Sequence, residues 1–191
     1  MNWETYIAFG DSISIGARSY LGYPEYVGKI LETVTKKNWN VVNHAVSGYT
    51  AIDLARSIDR NFENLKHNAP SVCTLLIGTN DVKANTDLDD FEIAVRLVLT
   101  KINLLMAVPV IKVFSIPTFP KGVMYPYTIG MNEIIPAYNT VIASAAQAHQ
   151  ATLHSLHFDA EDLFDGVHLN QNGSKNAGTY IGGLILQDRG F

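Results

Sequence analysis

Four short stretches carry side chains able to do nucleophilic or acid–base chemistry, and they occur along the chain as Ser12, Gly48, Asn80 and then Asp165 with His168. A histidine can take the proton of a serine hydroxyl. A carboxylate three residues earlier on the same loop can accept from the other ring nitrogen and so fix the tautomer. Ser12 lies in Gly10-Asp11-Ser12-Ile13-Ser14, directly after an apolar run. A strand-to-helix turn there would present the hydroxyl, and the N–H groups at the helix start could stabilise an oxyanion. Taken alone, the Asp-Ser pair reads more readily as Asp11 or Ser12 capping the next helix. It is also not the Gly-x-Ser-x-Gly elbow, because position 14 is serine.

The other stretches are equally two-sided when taken singly. Gly48 ends Asn43-His44-Ala45-Val46-Ser47-Gly48, where a glycine could bring a backbone N–H close to an anion or simply make a turn. In Gly78-Thr79-Asn80-Asp81 the Asn80 amide could donate to a developing oxyanion, yet Asn-Asp pairs also build turns and caps. Asp165-Gly166-Val167-His168-Leu169-Asn170 could be an ordinary surface turn. No second His or Cys stands at ligand spacing from His168, which speaks against a metal site, and His154 and His157 read as polar positions around a strand. Cys73, the single cysteine, sits in an apolar run and reads as a buried inert thiol with no disulfide partner.

These residues need a frame to bring them together, and the hydrophobic pattern describes one. Apolar or β-branched runs at 5–9, 40–43, 72–77, 108–116 and, more weakly, 152–157 alternate with helix-period segments at 23–37, 51–66, 88–106, 132–150 and 173–186. Several strands are apolar on both faces, as a parallel sheet covered by helices on both sides requires. The expected fold is a three-layer α/β/α domain with five parallel strands in the flavodoxin-like order 2-1-3-4-5. In such sheets ligands bind at the carboxyl ends of the strands, and each of the four stretches falls after a strand or in the loop before the last helix. Residues 116–130 break the regularity: three prolines and two glycines exclude a regular helix, while the aromatic content is high for a solvated loop. The segment could wall an acyl pocket, act as a lid or pack back on the core.

Length and composition set the outer limits. A chain of 191 residues fits one domain over positions 1–191, and would bury roughly 70% of its unfolded surface. The 47% apolar and 17% charged fractions are those of a globular protein. With 14 basic against 18 acidic residues and no basic run beyond Lys36-Lys37, a nucleic-acid partner is not expected. No apolar stretch reaches the ~18 residues of a membrane span, and Met1-Asn2-Trp3-Glu4 does not open a signal peptide, so the expected location is cytoplasmic unless a leader has been removed. Nothing in the sequence specifies an oligomeric state.

Read jointly, the order Ser12, Gly48, Asn80 and Asp165-x-x-His168 resembles the four blocks of the SGNH (GDSL-type) hydrolases, and the resemblance runs from about residue 5 to 186. The first block has Ile13 where the family name has leucine, a change on an apolar position. The resemblance implies a serine esterase. Ser12 would be the nucleophile, His168 the general base and Asp165 its partner, with the Ser12 N–H, the Gly48 N–H and the Asn80 side chain as oxyanion hole. It implies an acyl-enzyme, a small-molecule ester substrate and no cofactor or metal. Small to medium acyl chains are expected from the apolar content of 119–127. Carbohydrate O-deacetylase, thioesterase and lysophospholipase remain open on the same fold. A competing reading from another class is a flavodoxin-like FMN protein with Ser12-Ile13-Ser14-Ile15-Gly16 as phosphate loop, which leaves Asn80, Asp165 and His168 without a role.

Overall fold

The computed structural model describes residues 3–16, 21–106 and 110–191. Its sheet has five parallel strands: β1 (Trp3–Gly10), β2 (Asn38–Ala45), β3 (Val72–Leu76), β4 (Ile111–Phe114) and β5 (Thr152–His154). Their order is β2-β1-β3-β4-β5, as the pattern predicts. The helices are α1 (Ser12–Ile15), α2 (Tyr23–Thr35), α3 (Ala51–His67), α4 (Thr79–Ala84), α5 (Leu88–Leu105), α6 (Ile135–Ala148) and α7 (Gln171–Asp188). The crossover from β1 to β2 runs one way along the sheet and those from β2 onward run the other. Right-handed connections therefore put α2 on one face and α3, α5 and α6 on the opposite face. The packing follows: α2 lies against α7, α3 against α5, and α5 against α6.

Covered on both sides, the central strands have no water-facing side. Tyr6, Ile7, Ala8 and Phe9 of β1 are fully buried, and so is every residue of β3. Burial pushes the Cys73 thiol up, which leaves it the inert core residue expected. Among the described residues no helix is long and apolar enough to cross a membrane.

Local chemistry sets the element ends. Asp87 starts α5 by accepting from the Asp89 N–H at 2.9 Å, and Asn170 starts α7 by accepting from the Gly173 N–H at 3.0 Å. The helix expected over 132–150 divides into a 3₁₀ turn at Ile129–Glu133 and α6, because Pro136 lacks the N–H a helix interior needs and is tolerated only in a first turn. The strand expected at 152–157 keeps only its first three residues, at the sheet edge. Of the strand expected at 108–116, residues 108 and 109 lie outside the described residues and Ile111–Phe114 pair with β3 and β5. Two short helices begin just after central strands and lie outside the helix-period segments: α1 is the helix start expected at Ser12, and α4 follows Gly78.

The α2–α7 contact depends on glycines that let two backbones approach. A Cβ on Gly178 would stand 2.4 Å from the Tyr26 Cβ and 2.9 Å from the Tyr23 carbonyl oxygen, whereas one on Gly183 would meet nothing within 4 Å. Gly178→Ala is therefore expected to destabilise by about 1–3 kcal/mol in urea unfolding. Gly183→Ala should be neutral or stabilise by about 0.5–1 kcal/mol through lower unfolded-state entropy. Equal effects of the two substitutions would mean that α2 and α7 do not pack this closely.

Candidate active site

Three loops leave the sheet side by side because β1 pairs with β2 on one edge and β3 on the other, with Gly10 opposite both Ala45 and Leu76. Ser12 lies two residues beyond Gly10, Gly48 three beyond Ala45 and Asn80 four beyond Leu76. Asp165 and His168 reach the same edge on the loop before α7.

Ser12 is the first residue of α1. The cap is Asp11, whose Oδ1 accepts from the Ile13 N–H at 3.0 Å, so the cap and the neighbouring serine have separate tasks. Below them Ser14 is fully buried and donates to the Tyr23 hydroxyl at 3.1 Å, while the Asn43 side chain donates to the Ser14 carbonyl at 2.9 Å. These bonds tie the short helix to α2 and β2. They also engage the Ser14 hydroxyl, one of those that an FMN phosphate loop would need.

The Ser12 hydroxyl lies 2.9 Å from His168 Nε2, and His168 Nδ1 lies 2.7 Å from Asp165 Oδ2. With the ring proton on Nδ1 facing the carboxylate, Nε2 is left as an acceptor for the serine. The second carboxylate oxygen, Oδ1, accepts from the backbone N–H groups of Val167 at 3.0 Å and His168 at 2.8 Å. Burial would raise the Asp165 pKa, but the bonds from the His168 N–H, the His168 ring and the Val167 N–H outweigh it and hold the carboxyl below its ordinary range. Asp165 is thus a persistent anion beside the imidazole. The Phe164 ring stacks on His168 at 5.6 Å, adding an apolar wall.

Gly48 has φ of 81°, a left-handed conformation that glycine adopts without strain, and no atom of the described residues lies within 4 Å of where a Cβ would sit. Asn80, on α4, is nearly fully buried and its Nδ2 donates to the carbonyl of Tyr49 at 3.0 Å, which joins the second and third loops. Its Oδ1 accepts from Lys83 Nζ at 2.9 Å and from the Tyr127 hydroxyl at 3.1 Å. The sequence reading missed both donors. Lys83 was within reach, since three residues on a helix bring two side chains onto one face. Tyr127 was not, being 47 positions away in the irregular segment.

Part of that segment packs back on the core, while Met124 and Tyr125 stand exposed. Phe119 and Tyr127 are buried against one another with ring centroids 5.2 Å apart, and neither lines the cleft beside the serine. The cleft is bounded by Ser12, Ile15, Gly16, Ser47, Phe164 and His168.

Two buried acids behave oppositely to Asp165. Asp11 is pushed up to about 7, by burial first, against the Ile13 N–H and helped by the charge of Asp81. Asp81 is pushed up to about 6 by burial, against the bond from the Ala51 N–H. A folded-state pKa above the unfolded value means that the native state holds more protons between these values, so stability falls as pH rises through that window. The contribution of these two acids to the unfolding free energy is therefore expected to drop between about pH 4 and pH 7, and Asp11→Asn should lose on the order of 2 kcal/mol less than wild type over that range. Parallel urea titrations check this, and identical pH slopes would contradict it.

Solved structures similar to this chain share its fold at low identity. An acetyl xylan esterase, AlAXEase, superposes with a TM-score of 0.75 at 22% identity over 95% of this chain and 99% of its own. The inhibitor-bound aryl esterase of M. smegmatis gives 0.76 at 14% identity over 96% and 99%. The acetylxylan esterase Axe2 of Geobacillus stearothermophilus gives 0.67 at 21% identity over 98% and 94%. No curated protein matches the chain in sequence. The profile of the GDSL-like lipase/acylhydrolase family, however, matches residues 8–175, a stretch that takes in every position from Ser12 to His168. The chain therefore belongs to the GDSL-like lipase/acylhydrolase family and is a carboxylic ester hydrolase.

Proposed function

We propose that the protein hydrolyses esters of short acyl groups through an acyl-enzyme on Ser12, with His168 as general base and Asp165 holding the imidazole in its reactive tautomer. The observation that carries this is the unbroken relay of Ser12 Oγ to His168 Nε2 at 2.9 Å and His168 Nδ1 to Asp165 Oδ2 at 2.7 Å. Ser12 attacks the ester carbonyl as His168 takes its proton. The negative charge that develops on the carbonyl oxygen is met by the N–H groups of Ser12 and Gly48 and by the Asn80 amide. His168 returns the proton to the leaving alcohol, and water repeats the two steps on the acyl-enzyme.

The short-acyl reading draws on the cleft. Its apolar walls near the serine are Ile15 and Phe164, while Phe119 and Tyr127, which could have lined a longer channel, are buried elsewhere. The acetyl xylan esterases among the structural neighbours favour one narrower reading, removal of O-acetyl groups from a carbohydrate.

Ser12→Ala should lower kcat by a factor on the order of 10⁴–10⁶, and His168→Ala by a similar factor. The double variant should lose little more, because nucleophile and base act as a unit. Near-wild-type turnover by purified Ser12→Ala would overturn the assignment. On p-nitrophenyl esters from acetyl to palmitoyl, kcat/KM is expected to be highest at the short end. An optimum at palmitoyl would refute the short-acyl reading, and turnover of acetylated xylo-oligosaccharides above that of p-nitrophenyl acetate would establish the carbohydrate one.

A further inference from the structure

The proposed mechanism uses the Asn80 amide but not the groups that hold it. A side-chain amide can sit either way round, and only one orientation turns N–H toward an oxyanion. Here Oδ1 faces two donors, the Lys83 ammonium at 2.9 Å and the Tyr127 hydroxyl at 3.1 Å, while Nδ2 faces the Tyr49 carbonyl at 3.0 Å. Turning the amide over would set its NH₂ against an ammonium and a hydroxyl and its oxygen against a carbonyl. The observed orientation gives one N–H to Tyr49 and leaves the other for a ligand. Two donors on Oδ1 also draw charge from the amide and strengthen what its N–H can give.

We propose that Tyr127 is a positioning residue for the oxyanion hole: its hydroxyl fixes the Asn80 amide so that the free N–H is presented to the tetrahedral intermediate. The inference rests on the oxyanion role of Asn80 proposed above. The segment that carries Tyr127 is pinned on both sides. Asn132 bonds the N–H of Phe119 at 2.8 Å and its carbonyl at 2.9 Å, Phe119 packs on the Tyr127 ring, and the Met124 N–H donates to the Asp165 carbonyl at 2.9 Å. A Cβ on Gly166 would stand 2.6 Å from the Val123 Cα, so the segment also lies directly against the loop of the acid and base. Burial, then the charges of Asp11 and Asp165, push the Tyr127 phenol up to about 12, which keeps it a donor throughout the working range. The irregular segment is thus a brace between the oxyanion donor and the Asp165–His168 loop.

A double-mutant cycle tests this on p-nitrophenyl acetate, with rates referred to active sites counted by phosphonate titration so that an unfolded fraction does not imitate a loss. Tyr127→Phe keeps the ring and removes only the hydroxyl. It should lower kcat about three- to tenfold, the scale of one hydrogen bond, with KM within about twofold. Asn80→Ala should lower kcat by a factor of roughly 10²–10³. The double variant should be no slower than Asn80→Ala, because Tyr127 acts only through that amide. An unchanged kcat for Tyr127→Phe, or losses that multiply in the double variant, would overturn the inference and leave the role of Asn80 standing. A near-wild-type Asn80→Ala would overturn both.

Discussion

With β1 flanked by β2 on one side and β3 on the other, the chain must leave the sheet at three neighbouring carboxyl ends, and everything at the site depends on the reversal in the direction of the crossovers along this parallel sheet. Each departure turns sharply, since a helix on one face or the other has to begin. The turns place a helix-start serine, a left-handed glycine and a buried asparagine next to one another without any of them touching in sequence. The fourth loop completes the arrangement because α7 returns to pack on α2, on the face opposite α3, α5 and α6. The close α2–α7 approach, made possible by Gly178, is therefore part of what delivers the loop of His168 to Ser12.

Around this frame the same side chain is used in two electrostatic states. Asp165 accepts three hydrogen bonds and is held as an anion, so it can orient and stabilise a cationic imidazole. Asp11, one residue before the serine, caps a helix with one oxygen while its other buried oxygen has no partner among the described residues, and its pKa rises. The difference is not in the residue type but first in how deeply the carboxylate is buried, and then in how many N–H groups reach it in compensation for lost water. One acid is set to work with charge; the other is charged only at a cost to stability as pH rises.

The segment at 116–130 shows how an irregular stretch can be structural without being regular. Its prolines forbid a helix and its Phe119 and Tyr127 rings are buried, so the backbone is held by Asn132 and Asn139 side chains that bond the N–H and carbonyl groups of Phe119 and Ile116. A ladder of side-chain amides replaces the missing secondary structure. That is how a hydroxyl from the far side of the chain is brought to Asn80 on a rigid support.

The sequence by itself determined the class of fold, the strand order and the identity of the four stretches that meet. Hydrophobic periodicity is a local property, and the order of Ser12, Gly48, Asn80 and Asp165-x-x-His168 is preserved in the letters. It also carried the alternatives at Asp11 and Ser12, which only the turn geometry separated: Asp11 caps, and Ser12 is free to face His168. What local pattern could not decide was the destination of the irregular segment and the extent of the edge strand. Both are set by burial against distant parts of the chain, as when Tyr127 finds Asn80 across 47 positions. The orientation of the Asn80 amide is of the same kind. An asparagine in a sequence has no preferred way round, and only the three partners gathered by the tertiary fold, Lys83, Tyr127 and the Tyr49 carbonyl, give it one.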